Sequence, residues 1–233
     1  MPDIFQDSSR YFHISAFYAL SLPYYHMEHH THSSYEIMYI TSGSCRVFCL
    51  DGTQDTEFPL KSGQFIFIRL DVPHRLEIPD GFPCSILNLE FSLTPEKSPV
   101  ALELLLKKDP GFSQFWNFME ASQGFCSGAD SRSFGYSLKD LLTFLQQNSG
   151  QIQKEEFLFF LLFSRMLTEL AFCARSSRST QGIVYLKKAL RYIDEHYLED
   201  IDIPAISAYA GINKSYLQAL FTEKNGCTIN TYI

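Results

Sequence analysis

The feature of this 233-residue sequence that most restricts its fold is a change in hydrophobic period near Thr94-Pro95. Before this point, short runs rich in Ile, Val, Phe and Tyr have strand length and are separated by turn-forming residues. After it, apolar residues recur at helical spacing. Strands that precede helices, without βαβ alternation, predict an α+β protein in which a small β-barrel or sandwich is followed by helices. The predicted strands are 35–41, 45–50, 64–70 and 84–91, and the predicted helices after them are 100–107, 112–122, 136–148 and 155–174.

The C-terminal stretch has the clearest helical periodicity, with one apolar helix face that ends near Tyr197. Beyond it, Asp202 is suited to cap a short helix, Gly211 to form a tight turn, and Asn213 to cap a second helix that runs to about Asn225. This order predicts a helix-turn-helix. Small polar residues at 176–182 mark the best domain boundary. We therefore predict three segments, residues 1–98, 99–178 and 179–233.

Composition indicates a folded, soluble protein. Hydrophobic residues make up 45% and charged residues 19%, which is typical of a chain that can form a core. The longest apolar stretch, 157–173, is interrupted by polar and charged residues, so we predict a cytoplasmic protein without a membrane span.

The six cysteines form no CxxC pair and are interpreted as reduced thiols. A net charge of -7 argues against nonspecific binding to nucleic acid.

Histidines and a glutamate near the start of the first predicted strand form a spaced motif. His30, His32, Glu36 and Gly43 follow the pattern HxH, three residues, Glu, six residues, Gly, which resembles the first cupin motif. The second cupin motif is only partly matched, by a glycine at 63 and by His74. In metal-binding cupins such residues converge in the barrel, so the resemblance implies His30, His32, Glu36 and His74 as candidate ligands of a divalent metal.

The same segment and the C-terminal run together resemble the AraC/XylS family of transcription regulators. The first segment fits the pattern HxHxxYEIxYIxxG, and residues 203–233 are similar to the first of that family's two helix-turn-helix units. In that family the barrel segment usually serves as scaffold. We therefore favour structural or ligand-pocket use over metal binding, with no cofactor required. The candidate pocket residues are His30, His32, Glu36, Tyr39 and His74.

The resemblance also implies which residues contact DNA. The second helix of the unit enters the major groove, so Ser215, Gln218 and Ala219 are expected to reach bases, of which Gln218 can pair bidentately with adenine. Residues expected at phosphates are Asn213, Lys214 and Lys224. The sequence stops at Ile233, before the family's second unit, and residues 183–233 carry five basic and six acidic side chains. We therefore predict that this chain binds DNA weakly.

Taken together, these patterns predict a bacterial regulator that is not an enzyme. Residues 1–98 form a cupin-like sensory barrel for a small-molecule effector, 99–178 form a helical linker and dimerisation segment, and 179–233 form a partial DNA-binding domain. A homodimer is predicted through 136–174, where apolar residues are in excess, with packing of these helices against the barrel as the alternative. Two alternatives remain. One is a metal-dependent cupin enzyme, an oxygenase or isomerase, and the other is a truncated sensor that dimerises with a full-length relative.

Overall fold

Two antiparallel β-sheets form the N-terminal part of the structure. The structure is a computed structural model that describes residues 10–51, 54–122, 124–148, 151–197, 201–212 and 214–233. One sheet has the strand order β1-β8-β3-β6-β9 and the other β2-β7-β4-β5. The strands are β1 (Tyr11–Leu22), β2 (Tyr25–His26), β3 (Tyr35–Ser42), β4 (Ser44–Asp51), β5 (Gln54–Lys61), β6 (Gln64–Ile68), β7 (His74–Ile78), β8 (Cys84–Thr94) and β9 (Phe125–Ala129).

Helices follow the first eight strands, as the change in period predicts, and β9 lies between α2 and α3 in the chain. The side chain of Asp109 caps α2 by accepting a hydrogen bond of 3.0 Å from the Phe112 N–H. A 3-10 turn at Ile152–Lys154 precedes α4. Seven α-helices lie within the described residues: α1 (Leu102–Lys108), α2 (Pro110–Ala121), α3 (Phe134–Gln147), α4 (Glu156–His196), α5 (Ile203–Ala210), α6 (Lys214–Asn225) and α7 (Ile229–Tyr232).

The five-stranded sheet is packed on both faces. Along β3, Tyr35 and Ile37 belong to the core that this sheet forms with α1 to α4, whereas Met38 and Ile40 belong to the core between the two sheets. Because successive side chains of a strand point to opposite faces, Glu36 lies on the same side as Met38. The alternation therefore places the buried carboxylate of Glu36 in the space between the two sheets.

The predicted α+β class is confirmed, and all four predicted strands are present. The strands form two open sheets rather than a closed barrel. Besides the two-residue strand β2, the strands β1, β5, β7 and β9 were not predicted from the sequence. Strand β9 contains Ser127 and Gly128, which are residue types with low strand propensity, but its backbone pairs with β6 along the sheet edge. Pairing with a neighbour thus outweighs the low strand propensity of these residues.

Helix α4 runs through the segment 176–182, whose small polar residues mark the predicted domain boundary. The segment contains no proline, and its one glycine costs a helix only about 1 kcal/mol relative to alanine, so the backbone stays helical there. The chain nevertheless divides into two compact units at this point, Met1–Arg175 and Ser176–Ile233. Helices α1 to α3 therefore belong with the strands in the first unit.

Among the described residues, the first part of α4 is the one helix segment that is both long and apolar enough to span a membrane. Glu156–Ser177 has a mean hydropathy of 1.8 and by length and composition alone could cross a membrane. Half of that window is buried inside the structure, however, so such a helix is weak evidence of a membrane span. Its buried residues Phe159, Phe163, Met166 and Leu170 join the core on the five-stranded sheet.

Asp130 connects α3 to the sheet. Its carboxylate accepts hydrogen bonds from the backbone N–H groups of Arg132, Phe134 and Gly135 and from the Tyr39 hydroxyl, at 2.8 to 3.2 Å. Burial opposes its ionisation, but these hydrogen bonds outweigh burial and lower the pKa of Asp130. The start of α3 is thus held against the end of β3.

The C-terminal unit contains the predicted pair of short helices. Asp202 caps α5, since its side chain accepts a 2.7 Å hydrogen bond from the Ala205 N–H, and Gly211 ends the helix with a φ of 77°. Leu217 and Phe221 of α6 pack with Ile206 of α5 in a core of their own. The predicted caps at Asp202 and Gly211 are confirmed, whereas Asn213 lies outside the described residues.

Candidate functional site

A small cavity lies between the two sheets, beside Glu36. Its volume is about 50 Å³. Drug-sized ligands occupy pockets of about 300–1,000 Å³, so this cavity suits a small molecule or a few waters. Six of the residues that line it are polar and six are apolar. We call the first set, Tyr18, Tyr25, His30, Glu36, His74 and Asn88, the polar wall, and the second set, Leu20, Leu22, Met27, Met38, Leu76 and Ile86, the apolar wall.

Backbone pairing brings the distant parts of the histidine motif together. His30 and His74 form an isolated antiparallel bridge in which each backbone N–H donates to the carbonyl oxygen of the other at 3.0 Å. Their ring centroids are 4.3 Å apart, and the ring of His32 lies 5.0 Å from that of His74. The bridge therefore joins the two cupin-like motifs in space.

Glu36 is the centre of the polar wall and is only 4% exposed. Its Oε2 atom lies 3.2 Å from Nε2 of His32 and 2.8 Å from Nε2 of His74, and its Oε1 atom accepts a 2.5 Å hydrogen bond from the Asn88 amide. Burial by itself raises the pKa of Glu36, but the hydrogen bond with His32, the contact with His74 and the Asn88 amide together lower this pKa to about 2. Glu36 is therefore a buried anion at neutral pH.

Two of the histidines have their Nδ1 atoms fixed by the backbone. Nδ1 of His74 lies 2.8 Å from the carbonyl oxygen of Val72, and Nδ1 of His32 lies 3.0 Å from that of Ser34. A carbonyl oxygen only accepts hydrogen bonds, so both Nδ1 atoms carry the proton and both Nε2 atoms face Glu36. The hydrogen bond with Glu36 raises the pKa of His32, whereas burial, followed by neighbouring His74, lowers the pKa of His30.

Asn88 and Tyr18 are site residues that the sequence analysis missed. In the sheet register Asn88 lies opposite Met38 on one side and Tyr18 on the other, so all three face the cavity. The Asn88 amide donates to the Tyr18 hydroxyl as well as to Glu36. An asparagine within the apolar run of β8 was the available signal, because a buried polar group needs a partner.

The structure brings together His30, His32, Glu36 and His74 among the five predicted pocket residues. The ligand atoms of the three histidines lie within 4.8 Å of one another. The fifth predicted pocket residue, Tyr39, does not line the cavity, so that part of the prediction is wrong. It lies on the opposite face of β3 from the cavity, where its ring packs against Phe134 and its hydroxyl bonds Asp130. Strand alternation, with Glu36 facing the cavity, requires an odd-numbered residue of β3 to face the helices.

The predicted DNA-contact residues lie along α6. Lys214, Ser215, Ala219 and Lys224 are exposed and Gln218 is half-buried. The intervening residues Leu217 and Phe221 are fully buried. The sixth predicted residue, Asn213, is outside the described part of the chain. The helix thus presents a polar face and an apolar face, as an amphipathic helix does.

The chain matches one family model and is similar to several known proteins. The model of the family described as AraC-like ligand binding domain matches residues 13–162. The HTH-type transcriptional regulator YbfI of Bacillus subtilis (strain 168) is 23% identical over 206 residues, which cover 88% of this chain and 68% of YbfI. The AraC-like transcriptional activator CuxR is 19% identical, with a TM-score of 0.33, over 86% of this chain and 64% of CuxR. Oxalate decarboxylase from Lactobacillus farciminis is 23% identical, with a TM-score of 0.29, over 46% of this chain and 32% of the enzyme.

Proposed function

Because this chain belongs to the family of AraC-like ligand-binding domains, we propose that it is a bacterial, cytoplasmic transcription regulator that responds to a small-molecule effector. The observation that carries this proposal is the cavity between the sheets, which has one polar wall around Glu36 and one apolar wall. A site that combines polar groups with apolar surface orients a small ligand and selects its chemistry. The effector is therefore a small molecule with a polar end and an apolar remainder.

The C-terminal unit is the proposed DNA-binding part. Helices α5 and α6, joined by the turn at Gly211, have the order of a helix-turn-helix. The exposed face of α6 offers Ser215, Gln218 and Ala219 to bases, with Lys214 and Lys224 near phosphates. The effector acts on transcription if it binds one arrangement of the regulator better than another. Weak DNA binding by these 233 residues stays a prediction.

Blocking the cavity tests the proposed function. Leu20 lines the cavity and is 43% exposed, so replacing it by tryptophan is expected to close the cavity mouth with little effect on folding. In a reporter assay driven by the promoter beside the gene, wild type is first screened against small organic acids, sugars and amino acids. We expect Leu20→Trp to reduce the response to the active compound at least about tenfold, which corresponds to 1.4 kcal/mol of lost effector binding.

Ala19→Trp is the matched control. Ala19 is the next residue on the same strand, is exposed and does not line the cavity. This control is expected to respond as wild type does. Equal loss in both tryptophan variants, or a normal response in Leu20→Trp, would place the effector elsewhere. A third variant, Gln218→Ala, tests the proposed DNA contact. It is expected to weaken regulation of the reporter both with and without the effector.

A metal-dependent cupin enzyme is the second candidate function, and the cluster of His30, His32, Glu36 and His74 is the observation that favours it. The similarity to regulators favours a protein that is not an enzyme. Turnover of the active compound by purified protein, abolished in Glu36→Gln, would support the enzyme instead. The third alternative, a sensor that dimerises with a full-length relative, predicts an effect on transcription only when that relative is present.

We also propose that the regulator forms a homodimer through α4. Phe157, Leu158 and Leu161 lie on one face at the start of this helix and are 73%, 42% and 47% exposed. Large apolar side chains that are adjacent and exposed are typical of an interaction surface. The predicted interface, 136–174, includes this face and the exposed ring of Tyr136.

Charges on that helix face are expected to separate the dimer. The double variant Phe157→Glu with Leu161→Glu introduces like charges that would meet their copies at a symmetric interface. Light scattering after size exclusion is expected to report a dimer for wild type and the 26.8 kDa mass of one chain for the variant. Phe82→Glu is the control, because Phe82 is also exposed but lies far along the chain between β7 and β8. A dimeric double variant would exclude this face.

A further inference from the structure

We propose that Cys45 and Cys84 are a redox-sensitive thiol pair, which a small peroxide converts into a disulfide between the two sheets. Cys45 is the second residue of β4, and Cys84 is the first residue of β8. Strand β4 belongs to the four-stranded sheet and β8 to the five-stranded sheet, so a bond between the two sulfurs would cross-link the sheets. No CxxC spacing connects the two cysteines, and the fold is what brings them together.

The two thiols meet in the core between the sheets. Both side chains belong to the same apolar cluster, and Cys45 is 3% and Cys84 is 1% exposed. Their thiol groups are joined by a hydrogen bond. The backbones also approach closely here, because a Cβ added to Gly43 would lie 3.0 Å from the Cα of Cys84. A disulfide requires Cα atoms less than about 7 Å apart and side chains that point towards each other, and two thiols in contact fit this requirement.

The hydrogen bond makes the two thiols chemically unequal. It raises the pKa of Cys45, and burial raises that pKa further. The same hydrogen bond lowers the pKa of Cys84, although burial opposes this change. Cys45 therefore donates its S–H, and Cys84 is the sulfur that carries the negative charge. Since the thiolate is the nucleophile in thiol oxidation, Cys84 is expected to react first.

The proposed reaction consumes one hydrogen peroxide for each pair of thiols. The Cys84 thiolate attacks one peroxide oxygen, the O–O bond breaks, and the departing hydroxide takes up the proton that Cys84 has lost and becomes water. Cys84 is then a sulfenic acid. The Cys45 sulfur attacks the sulfur of this group, the S–O bond breaks, and the hydroxyl leaves with the Cys45 proton as a second water. Two electrons have passed from the sulfurs to the peroxide.

An open groove beside the pair gives a small oxidant a way to approach. Its volume is about 470 Å³. Its lining includes Ser44, which is the neighbour of Cys45 in the chain, and Pro83 and Ser85, which flank Cys84. The two cysteines are themselves almost fully covered. This arrangement favours an oxidant of the size of hydrogen peroxide over a large one such as glutathione disulfide.

Formation of the disulfide would act on the cavity through β1 and β8. Cys84 lies opposite Leu22 in the register of these strands, and Ile86 is two residues further along β8. Leu22 and Ile86 both line the cavity. A shift of Cys84 towards Cys45 would therefore change one end of the cavity and weaken effector binding. This consequence rests on the proposed function, whereas formation of the disulfide does not.

Peptide mass spectrometry of the full chain tests the pair without effector or DNA. Every sample carries Cys227→Ser, because Cys227 is the one cysteine that is not buried. Trypsin places Cys45, Cys49 and Cys84 in the separate peptides 11–46, 47–61 and 76–97. After treatment with hydrogen peroxide and alkylation of the remaining thiols, we expect 11–46 to be joined to 76–97, and dithiothreitol is expected to release both peptides.

Alanine variants assign the link to the two sulfurs. Cys45→Ala and Cys84→Ala are each expected to abolish the cross-linked peptide. Cys49→Ala is the matched control, because Cys49 lies on the same strand and in the same buried cluster as Cys45, and it is expected to retain the link. Absence of the link in protein with both cysteines, or a link between 47–61 and 76–97 in its place, would overturn the pair. This result decides even if an alanine variant fails to fold by circular dichroism.

The reporter assay separates the thiol pair from the regulator. After exposure to peroxide, the response of wild type to the active compound is expected to fall about fivefold or more, the lower end of typical coupling between two sites, whereas Cys84→Ala keeps its response. Equal responses of the two proteins, with the disulfide formed in wild type, would overturn the link between the pair and the cavity. Formation of the disulfide in a protein that never responds to an effector would reject the proposed function and retain the thiol pair.

Discussion

Replacing Phe91 by alanine is expected to lower the free energy of unfolding of the first unit by about 3–5 kcal/mol. Phe91 is fully buried in the middle of the core that joins the five-stranded sheet to the helices. Its ring lies 5.6 Å from that of Phe12, 5.4 Å from Tyr35, 6.3 Å from Phe67 and 5.6 Å from Phe163 on α4. Alanine would leave a cavity whose lining loses contacts with several rings at once.

Urea unfolding followed by tryptophan fluorescence measures this effect. Trp116 is the single tryptophan of the sequence and is buried in the same core as Phe91, so its emission reports the first unit. The control is Phe82→Ala. Phe82 is 61% exposed, and its truncation is expected to change the free energy of unfolding by less than about 0.5 kcal/mol. A loss below 1 kcal/mol in Phe91→Ala would contradict the packing described here.

Part of the candidate site was accessible from the sequence because it lies in a local motif. His30, His32 and Glu36 are close in sequence, and their spacing identified them together. His74 was found only through resemblance to a second motif, since no local spacing connects it to His30. The backbone bridge between these two histidines depends on how β7 meets the segment before β3.

The error at Tyr39 has a definite physical cause. Strand β3 is apolar on both faces, because one face packs on the second sheet and the other on the helices. Hydrophobic alternation then cannot indicate which face borders the cavity. Asn88 and Tyr18 were missed for a related reason, since their position beside Glu36 depends on the register of β8 and β1.

Replacing Gly43 by alanine is expected to lower the free energy of unfolding by about 2–5 kcal/mol, the sum of left-handed backbone strain and of forced overlap in a packed site. Gly43 lies in the turn between β3 and β4 with a φ of 74°. An added Cβ would lie 1.9 Å from the carbonyl oxygen of Pro83 and 3.0 Å from the Cα of Cys84. These are backbone atoms that no side-chain rotation can move, so the start of β8 would have to shift.

Gly63→Ala separates the two contributions to this loss. Gly63 has a φ of 80°, close to that of Gly43, but no atom of the described residues lies within 4 Å of an added Cβ. Alanine there is expected to cost only the backbone strain, about 1–2 kcal/mol. The excess loss in Gly43→Ala, measured by the same Trp116 fluorescence, therefore reports how closely the turn approaches β8. Equal losses at the two positions would mean that this close approach is absent, and the glycine of the cupin-like motif would then be required only for its backbone conformation.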